Sequence, residues 1–426
     1  MSSVKRAFLI LGVAYSILHL GYSVWAYNPL RYDVASNDVY QVYQRMNRWR
    51  QTGDFSQVGL KGEGVYYPSL YALLFLPLTN LPFKQVACLL YSLQFIFLPL
   101  AILCMVWAAC PDRCPALKEF AMAGILAANY QPLLETVAKF KVEGMEVFLI
   151  ALAVLAFRKG RDFLTGILLV LAMNLKYLPG ILLGYFILKR EVQVARAAAM
   201  AQGLVFWVVI LFLGWGTFRT FTVQYPFRVL SDPATSYNWR VTRVAWQSLS
   251  GTIDRWFAAP VPPEDFLKGG GPISRPDLAK GVAVCLKGIF LALSLWVIRR
   301  RWPVFERRQR WPFYLLEISL ALVMLVILIR GFAVHYGILL LPAFLFVGSV
   351  LIHRWGDFRW VEKGLFIVGY SLSATLLPGG LMRHLPAHPL WGQEYYSIYL
   401  WGSLPFFGYL LLFLCTLLCH HRLRKL

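Results

Sequence analysis

Charge is what this sequence has least of, and acidic charge least of all. Only 15% of its 426 residues are Asp, Glu, Lys or Arg, where a soluble chain of this size carries about 25%. Acidic residues number 21 against 42 basic ones, a formal net charge of +21. The bases sit in short clusters between apolar runs and form no single amphipathic or aromatic-studded surface, so a nucleic-acid partner is not expected. Cysteine is also sparse, and none of the seven lies in a stretch read as facing outward. No disulfide is therefore expected, and Cys110 and Cys114 flank a turn on the reducing side. There is no phosphate-binding glycine loop, no nucleophile elbow and no zinc motif. These absences leave no nucleotide-sugar or ATP site on the cytoplasmic side. No cofactor and no metal are called for, because the outward acidic residues are few and scattered.

Apolar sequence fills the space that charge leaves. Hydrophobic residues make up 58% of the chain, and runs near 20 residues, each long enough to cross a bilayer core of about 30 Å, recur along its length. Spans are expected near 7–27, 84–109, 117–134, 144–158, 163–175, 177–189, 197–218, 278–298, 312–330, 334–352, 362–378 and 399–419. The first is a retained helix, since its apolar stretch is too long for a signal peptide and no small-residue cleavage site follows. The stretch Tyr67 to Pro82 is apolar but short, with prolines at both ends and at Pro77, and reads as a re-entrant or interfacial segment.

Orientation follows from the short loops. With the N-terminus inside, clusters such as Arg158, Lys159 and Arg161, or Arg299, Arg300 and Arg301, all fall on the inner side. The sequence is thus read as an all-α polytopic membrane domain over 1–426, with about 12 transmembrane helices and both termini cytoplasmic. Two long outer loops, 28–83 and 218–277, form the face where chemistry is sought. The second is rich in Pro and Gly between Pro260 and Pro276, the composition of a flexible loop.

In the first outer loop Asn37 to Arg50 reads as an amphipathic helix. Val39, Val42, Tyr43, Met46 and Trp49 recur at helical spacing while Arg45, Arg48 and Arg50 head elsewhere, a pattern suited to the membrane interface. Asp38 opens it. That carboxylate is either a dipole-favoured helix start or a catalytic base, with Asp33 a nearby rival and Glu63 and Glu143 distant ones. His335 opens a helix at the outer boundary, as an interfacial hydrogen-bonding residue or a site residue. Lys176 stands between two short apolar segments, where a lysine either snorkels or faces a water-filled cavity. Arg228, Arg240, Arg243 and Arg255, with nearby aromatics, are either solvated or hold a lipid phosphate.

At these residues the chain resembles the polyprenol-phosphate-mannose-dependent alpha-mannosyltransferases of glycosyltransferase family 87, in the integral-membrane GT-C class. The resemblance runs from about residue 30 to 350. It is carried by Asn37-Asp38-Val39-Tyr40 followed by Gly53, by Tyr66-Tyr67-Pro68 with Leu76-Pro77-Leu78, and by Gly166 to Ala172 with Lys176 and Pro179. Gln247-Ser248-Leu249 with Gly251 and Arg255, and His335-Tyr336 with Leu341-Pro342, complete it. Trp246 stands where the family usually has Asn, and Met145 where many members have Gln. The resemblance implies a GT-C-like fold with interfacial helices and an active site on the outer face of the plasma membrane. It implies transfer of a hexose, such as mannose, from a polyprenyl-phosphate sugar to a glycolipid or glycan acceptor, with inversion. It also implies Asp38 and His335 as catalytic, and Lys176, Tyr40, Tyr67, Gln247, Ser248 and Arg255 as substrate-binding; Arg228, Arg240 and Arg243 join them as outer-side cations for the donor phosphate. The rival reading is a transporter or flippase of lipid-linked sugars. Lys287 in mid-span favours it, while the lack of internal repeats disfavours it.

Overall fold

The computed structural model describes residues 3–26, 28, 38–53, 68–110, 114–138, 141–219, 222, 248–257, 276–299, 307–329, 334–374 and 403–425. Helices carry nearly all of them, and no strand occurs among the described residues. Buried main-chain groups inside a bilayer must be bonded internally, and a helix does this within each segment. The chain divides into two compact units. One comprises 27–101 and 136–239; the other comprises 1–26, 102–135 and 240–426.

The first unit begins with α2 (Asp38–Thr52), following α1 (Ser3–Ala26) of the other unit. The expected apolar stripe is real: Val39, Val42 and Met46 are buried, while Gln44, Arg48 and Arg50 are exposed. Tyr43 donates from its hydroxyl to the Leu81 carbonyl at 2.8 Å, and Arg50 donates to the Asn80 side chain. Both contacts seat α2 on the apolar stretch at 68–82. That stretch is α3 (Ser69–Phe75) followed by a 3-10 turn, Leu76–Asn80, with Pro77 in its first turn. Twelve helical residues reach only about 18 Å, well short of a bilayer core.

After α4 (Phe83–Ala109), which runs on into the second unit, come α7 (Glu143–Arg158), α8 (Asp162–Leu175), α9 (Gly180–Leu188) and α10 (Val192–Phe218). α8 and α10 touch at Gly166, where an added Cβ would lie 2.8 Å from that of Ala197 and would also strike the Val194 carbonyl. Only glycine allows the two backbones to approach so closely. Val170, Ala198, Val205, Val209 and Phe218 form a core there. α10 is interrupted at Gly214, whose φ of +77° suits a residue without a Cβ.

The second unit holds α1, α5 (Leu117–Ala128), most of α6 (Gln131–Ala138), α11 (Leu249–Phe257), α12 (Pro276–Arg299) and α13 (Arg307–Leu328). A 3-10 turn, Val334–Leu340, leads into α14 (Leu341–His353), and α15 (Trp360–Ser373) and α16 (Leu404–Leu423) follow. α13 is central: 83% of an 18-residue apolar stretch within it is buried. Its Trp311 indole donates to the Ala108 carbonyl at 2.6 Å.

Six helices are long and apolar enough to cross a membrane, at 83–109, 192–216, 280–299, 309–328, 336–353 and 404–423. Each coincides with a span expected from sequence. α1 is 24 residues long, and the remaining expected spans fold as helices of 8 to 16 residues. Residues 117–134, expected as one span, are two helices. α5 stops at Ala128, Asn129 turns at φ −102°, ψ 4°, and Pro132 enters the first turn of α6. A proline there lacks the N–H that a continuous helix needs, and it starts a new helix instead.

Candidate functional site

Three ionisable side chains meet in the interior of the first unit. Glu143 and Glu146 occupy the first turn of α7, where the helix dipole favours negative charge. Both are fully buried. Lys176 follows the last residue of α8 in an extended conformation, φ −158° and ψ 142°, because the Lys-Tyr-Leu-Pro sequence ends one helix and Pro179 begins the next. This turns its ammonium toward α7, and Lys176 Nζ lies 2.5 Å from Glu143 Oε1. Glu146 is within the electrostatic reach of both groups, yet neither of its oxygens has a hydrogen-bond partner among the described residues.

The wall around this cluster is polar too. The Gln94 amide of α4 donates to the Lys141 carbonyl, and the Gln94 side-chain oxygen fills the place that a Cβ on Gly144 would occupy. Gly144 is therefore a close-approach glycine, and any larger residue would displace Gln94. Tyr71 of α3 is buried beside Glu143. Burial pushes its hydroxyl well above the ordinary tyrosine range, and the nearby carboxylate pushes it the same way. One helix further, the Asn174 amide donates at 2.7 Å to the Gln202 side chain and fixes the end of α8 against α10.

Two carboxylates around one lysine make a poor receptor for an anion. A phosphate brought to Lys176 would approach Glu143 and Glu146 as well, and like charges in a poorly screened interior repel strongly. Lys176, expected either to snorkel or to face a water-filled cavity, is buried and bonded to Glu143. Glu143 had entered the sequence reading as a distant alternative base, and Glu146 had not entered it. The available signal was two acids in the first turn of an apolar helix, where ionisable groups are rare and face the protein interior.

The other expected site residues are placed as follows. Asp38 is the first residue of α2, and its side chain lies outside the described residues. Tyr40 is half-buried with its ring 4.8 Å from that of Phe83. Ser248 is buried, and its Oγ accepts the Gly251 N–H at 3.1 Å, the geometry of an N-cap for α11. Arg255 lies in α11 and His335 in the 3-10 turn before α14, and both side chains are outside the described residues. Tyr67, Arg228, Arg240, Arg243 and Gln247 lie outside them altogether. Asp38, Tyr40 and Lys176 belong to one compact unit; Ser248, Arg255 and His335 belong to the other. Lys287, the mid-span cation that favoured a transporter, donates at 3.1 Å to the carbonyl of Leu328, the last residue of α13. It thus satisfies a carbonyl that the helix end leaves open.

Set against known proteins, residues 66–329 match the family model of glycosyltransferase family 87, over half of the chain. No curated protein and no solved structure matches it.

Proposed function

The chain belongs to glycosyltransferase family 87, and from that premise we propose that it moves a hexose from a polyprenyl-phosphate donor to a glycolipid or glycan acceptor. Family membership over 66–329 is the observation that carries this reading. Mannose is the sugar that the motif resemblance points to. The reaction takes place at the outer face of the plasma membrane, with both termini in the cytoplasm. The acceptor hydroxyl oxygen attacks the anomeric carbon as the bond to the phosphate oxygen breaks, and the configuration inverts. Polyprenyl phosphate leaves with the bonding electrons, and the hydroxyl proton passes to a base.

Asp38 is that base. It opens an amphipathic helix seated on the apolar stretch at 68–82, and a carboxylate in that place can take or orient the acceptor proton. Its ordinary pKa near 3.9 makes it a weak base, and partial desolvation at the membrane surface raises it. His335 hydrogen-bonds the sugar. The departing phosphate falls to Arg228, Arg240, Arg243 and Arg255, because guanidinium groups bind phosphate in a bidentate fork. Lys176 is held by Glu143 and does not grip the donor. Tyr40, Tyr67, Gln247 and Ser248 line the substrate path.

The test is a transfer assay on purified protein with a radiolabelled polyprenyl-phosphate hexose and crude lipid acceptor. Label should appear in a glycolipid or glycan. Transfer from a nucleotide sugar in its place would overturn the donor, and donor movement without transfer would restore the transporter. Orientation is checked in a cysteine-free background. Gly270→Cys and Gln393→Cys should react with an impermeant thiol reagent in intact cells, and Gln309→Cys should not.

A further inference from the structure

The 3-10 turn Val334–Leu340 carries His335 and leads directly into α14. Its shape is set by what grips it, and the grip is at Gly337. The Tyr130 hydroxyl, fully buried, donates to the Gly337 carbonyl at 2.6 Å. On its other side Gly337 is closed in by Pro132, 2.7 Å from where a Cβ would stand, and by the Tyr409 hydroxyl. Tyr409 in turn lies beside the Tyr130 hydroxyl. A side chain at 337 would strike both neighbours, so glycine is required by space and not by backbone angle.

Tyr130 is itself unusually well anchored. It sits in the break between α5 and α6, and its backbone forms an isolated antiparallel bridge with Ala374. Its ring stacks edge-on against Phe344 at 5.5 Å. The residue before it, Asn129, donates to Ser16 Oγ at 2.8 Å, and its side-chain oxygen lies 2.9 Å from His19 Nδ1. The break is therefore tied to α1 on one side and to the His335 turn on the other. What the break accomplishes is to aim one phenol at one carbonyl, two residues beyond His335.

We propose that Tyr130 is a positioning residue that holds the His335 turn in its working geometry through the Gly337 carbonyl. This rests on the reading of His335 as a site residue. A hydrogen bond on that carbonyl fixes the plane of the 337–338 peptide, and in a turn with three residues per repeat a rotation there carries directly to residue 335. Displacements of about an ångström at a reacting group cost rate out of proportion to their size.

A double-mutant cycle tests it, with kcat and donor KM measured for Tyr130→Phe, His335→Ala and the combination. Tyr130→Phe keeps the ring against Phe344 and loses only the hydroxyl. It should lower kcat about tenfold while donor KM stays within about twofold. In the His335→Ala background the same change should cost nothing further, because residues acting through one another do not add. An equal loss in both backgrounds would show a general structural role and overturn the inference. So would a Tyr130→Phe enzyme at the wild-type kcat beside a slow His335→Ala enzyme. If His335→Ala itself turns over normally, it is the reading of His335 that falls, and a Tyr130→Phe loss in that case would also overturn the proposed route. Gly337→Ala is the second variant: its methyl meets Pro132, and it should reproduce the kcat loss with the same dependence on His335.

Discussion

The first unit carries acidic residues in two very different settings. Asp38 opens α2, a helix that is buried along one stripe and exposed along the other. Glu143 and Glu146 open α7, deep inside the fold, with Glu143 held by Lys176. All three begin helices, so the dipole favours each alike. A base must exchange protons with a substrate and release them to water. A carboxylate clasped by a buried ammonium can do neither without breaking its pair. On the proposed reading of Asp38 as the base, position in the fold, more than residue type or helix position, separates chemistry from architecture.

The largest effect that would test this contrast is on activity. Asp38→Asn keeps the size and most hydrogen bonds of Asp38 but cannot take a proton. Transfer should fall by about 10²–10⁴-fold, the range of a lost general base, with the thermal midpoint and donor affinity nearly unchanged. Asp33→Asn should be milder. Wild-type transfer by Asp38→Asn would end the assignment, and an unfolded variant would make Asp38 a helix start only. His335→Ala, in the other unit, should lower turnover by at least about tenfold, roughly 1.4 kcal/mol of barrier, as measured by initial rates at saturating donor.

Lys176→Met should act in the opposite sense, on stability first. It leaves Glu143 and Glu146 buried without the ammonium, and breaking a buried pair in this way costs about 3–5 kcal/mol. Thermal unfolding in detergent would register it as a lowered midpoint. Adding Glu143→Gln removes the orphaned charge and should recover most of the loss. If Lys176→Met instead keeps its midpoint and only weakens donor binding, the lysine reaches the phosphate after all.

These contrasts were only partly legible in the sequence. The stripe of Val39, Val42 and Met46 announced α2 almost to the residue, because amphipathic spacing is a local property. The shortness of the helical stretch at 69–80 was equally legible, since prolines are local signals too. The break at Asn129–Tyr130 was hidden. Its local signal is the single Pro132, which an apolar average over 117–134 does not register, and what anchors it is a set of hydrogen bonds to residues more than 100 positions away. The Glu143–Lys176 pair spans 33 positions on separate helices, so only the tertiary fold brings it together. Nor does composition tell an interior helix from a peripheral one: 83% of the apolar stretch of α13 is buried and only 22% of that of α10, although both are apolar enough to cross a membrane.

A smaller test asks whether Ser248 serves structure or substrate. Its oxygen caps α11 through the Gly251 N–H, and replacing such a cap by alanine costs about 1 kcal/mol. Ser248→Ala should therefore lower the unfolding midpoint modestly. A rise in acceptor KM accompanying it would place the hydroxyl in the substrate path as well.

The smallest expected effect falls on Glu146, and it separates the two kinds of carboxylate most cleanly. Glu146 is as buried as Glu143 and lies in the same helical turn, yet neither of its oxygens has a hydrogen-bond partner among the described residues. Lys176 attracts it and Glu143 repels it, so the two influences oppose each other. Glu146→Gln preserves shape, removes the repulsion with Glu143 and leaves the Glu143–Lys176 bond intact. Replacing a buried charge by a neutral group of similar volume is often neutral or stabilising, and the unfolding midpoint should hold or rise. Transfer should stay within about twofold, because a group that neither holds the lysine nor meets the acceptor has no step to slow. A loss of transfer comparable to that of Asp38→Asn, in a protein that still unfolds at the wild-type temperature, would show that the interior cluster takes part in the reaction. The division between chemistry at α2 and architecture at α7 would then have to be abandoned.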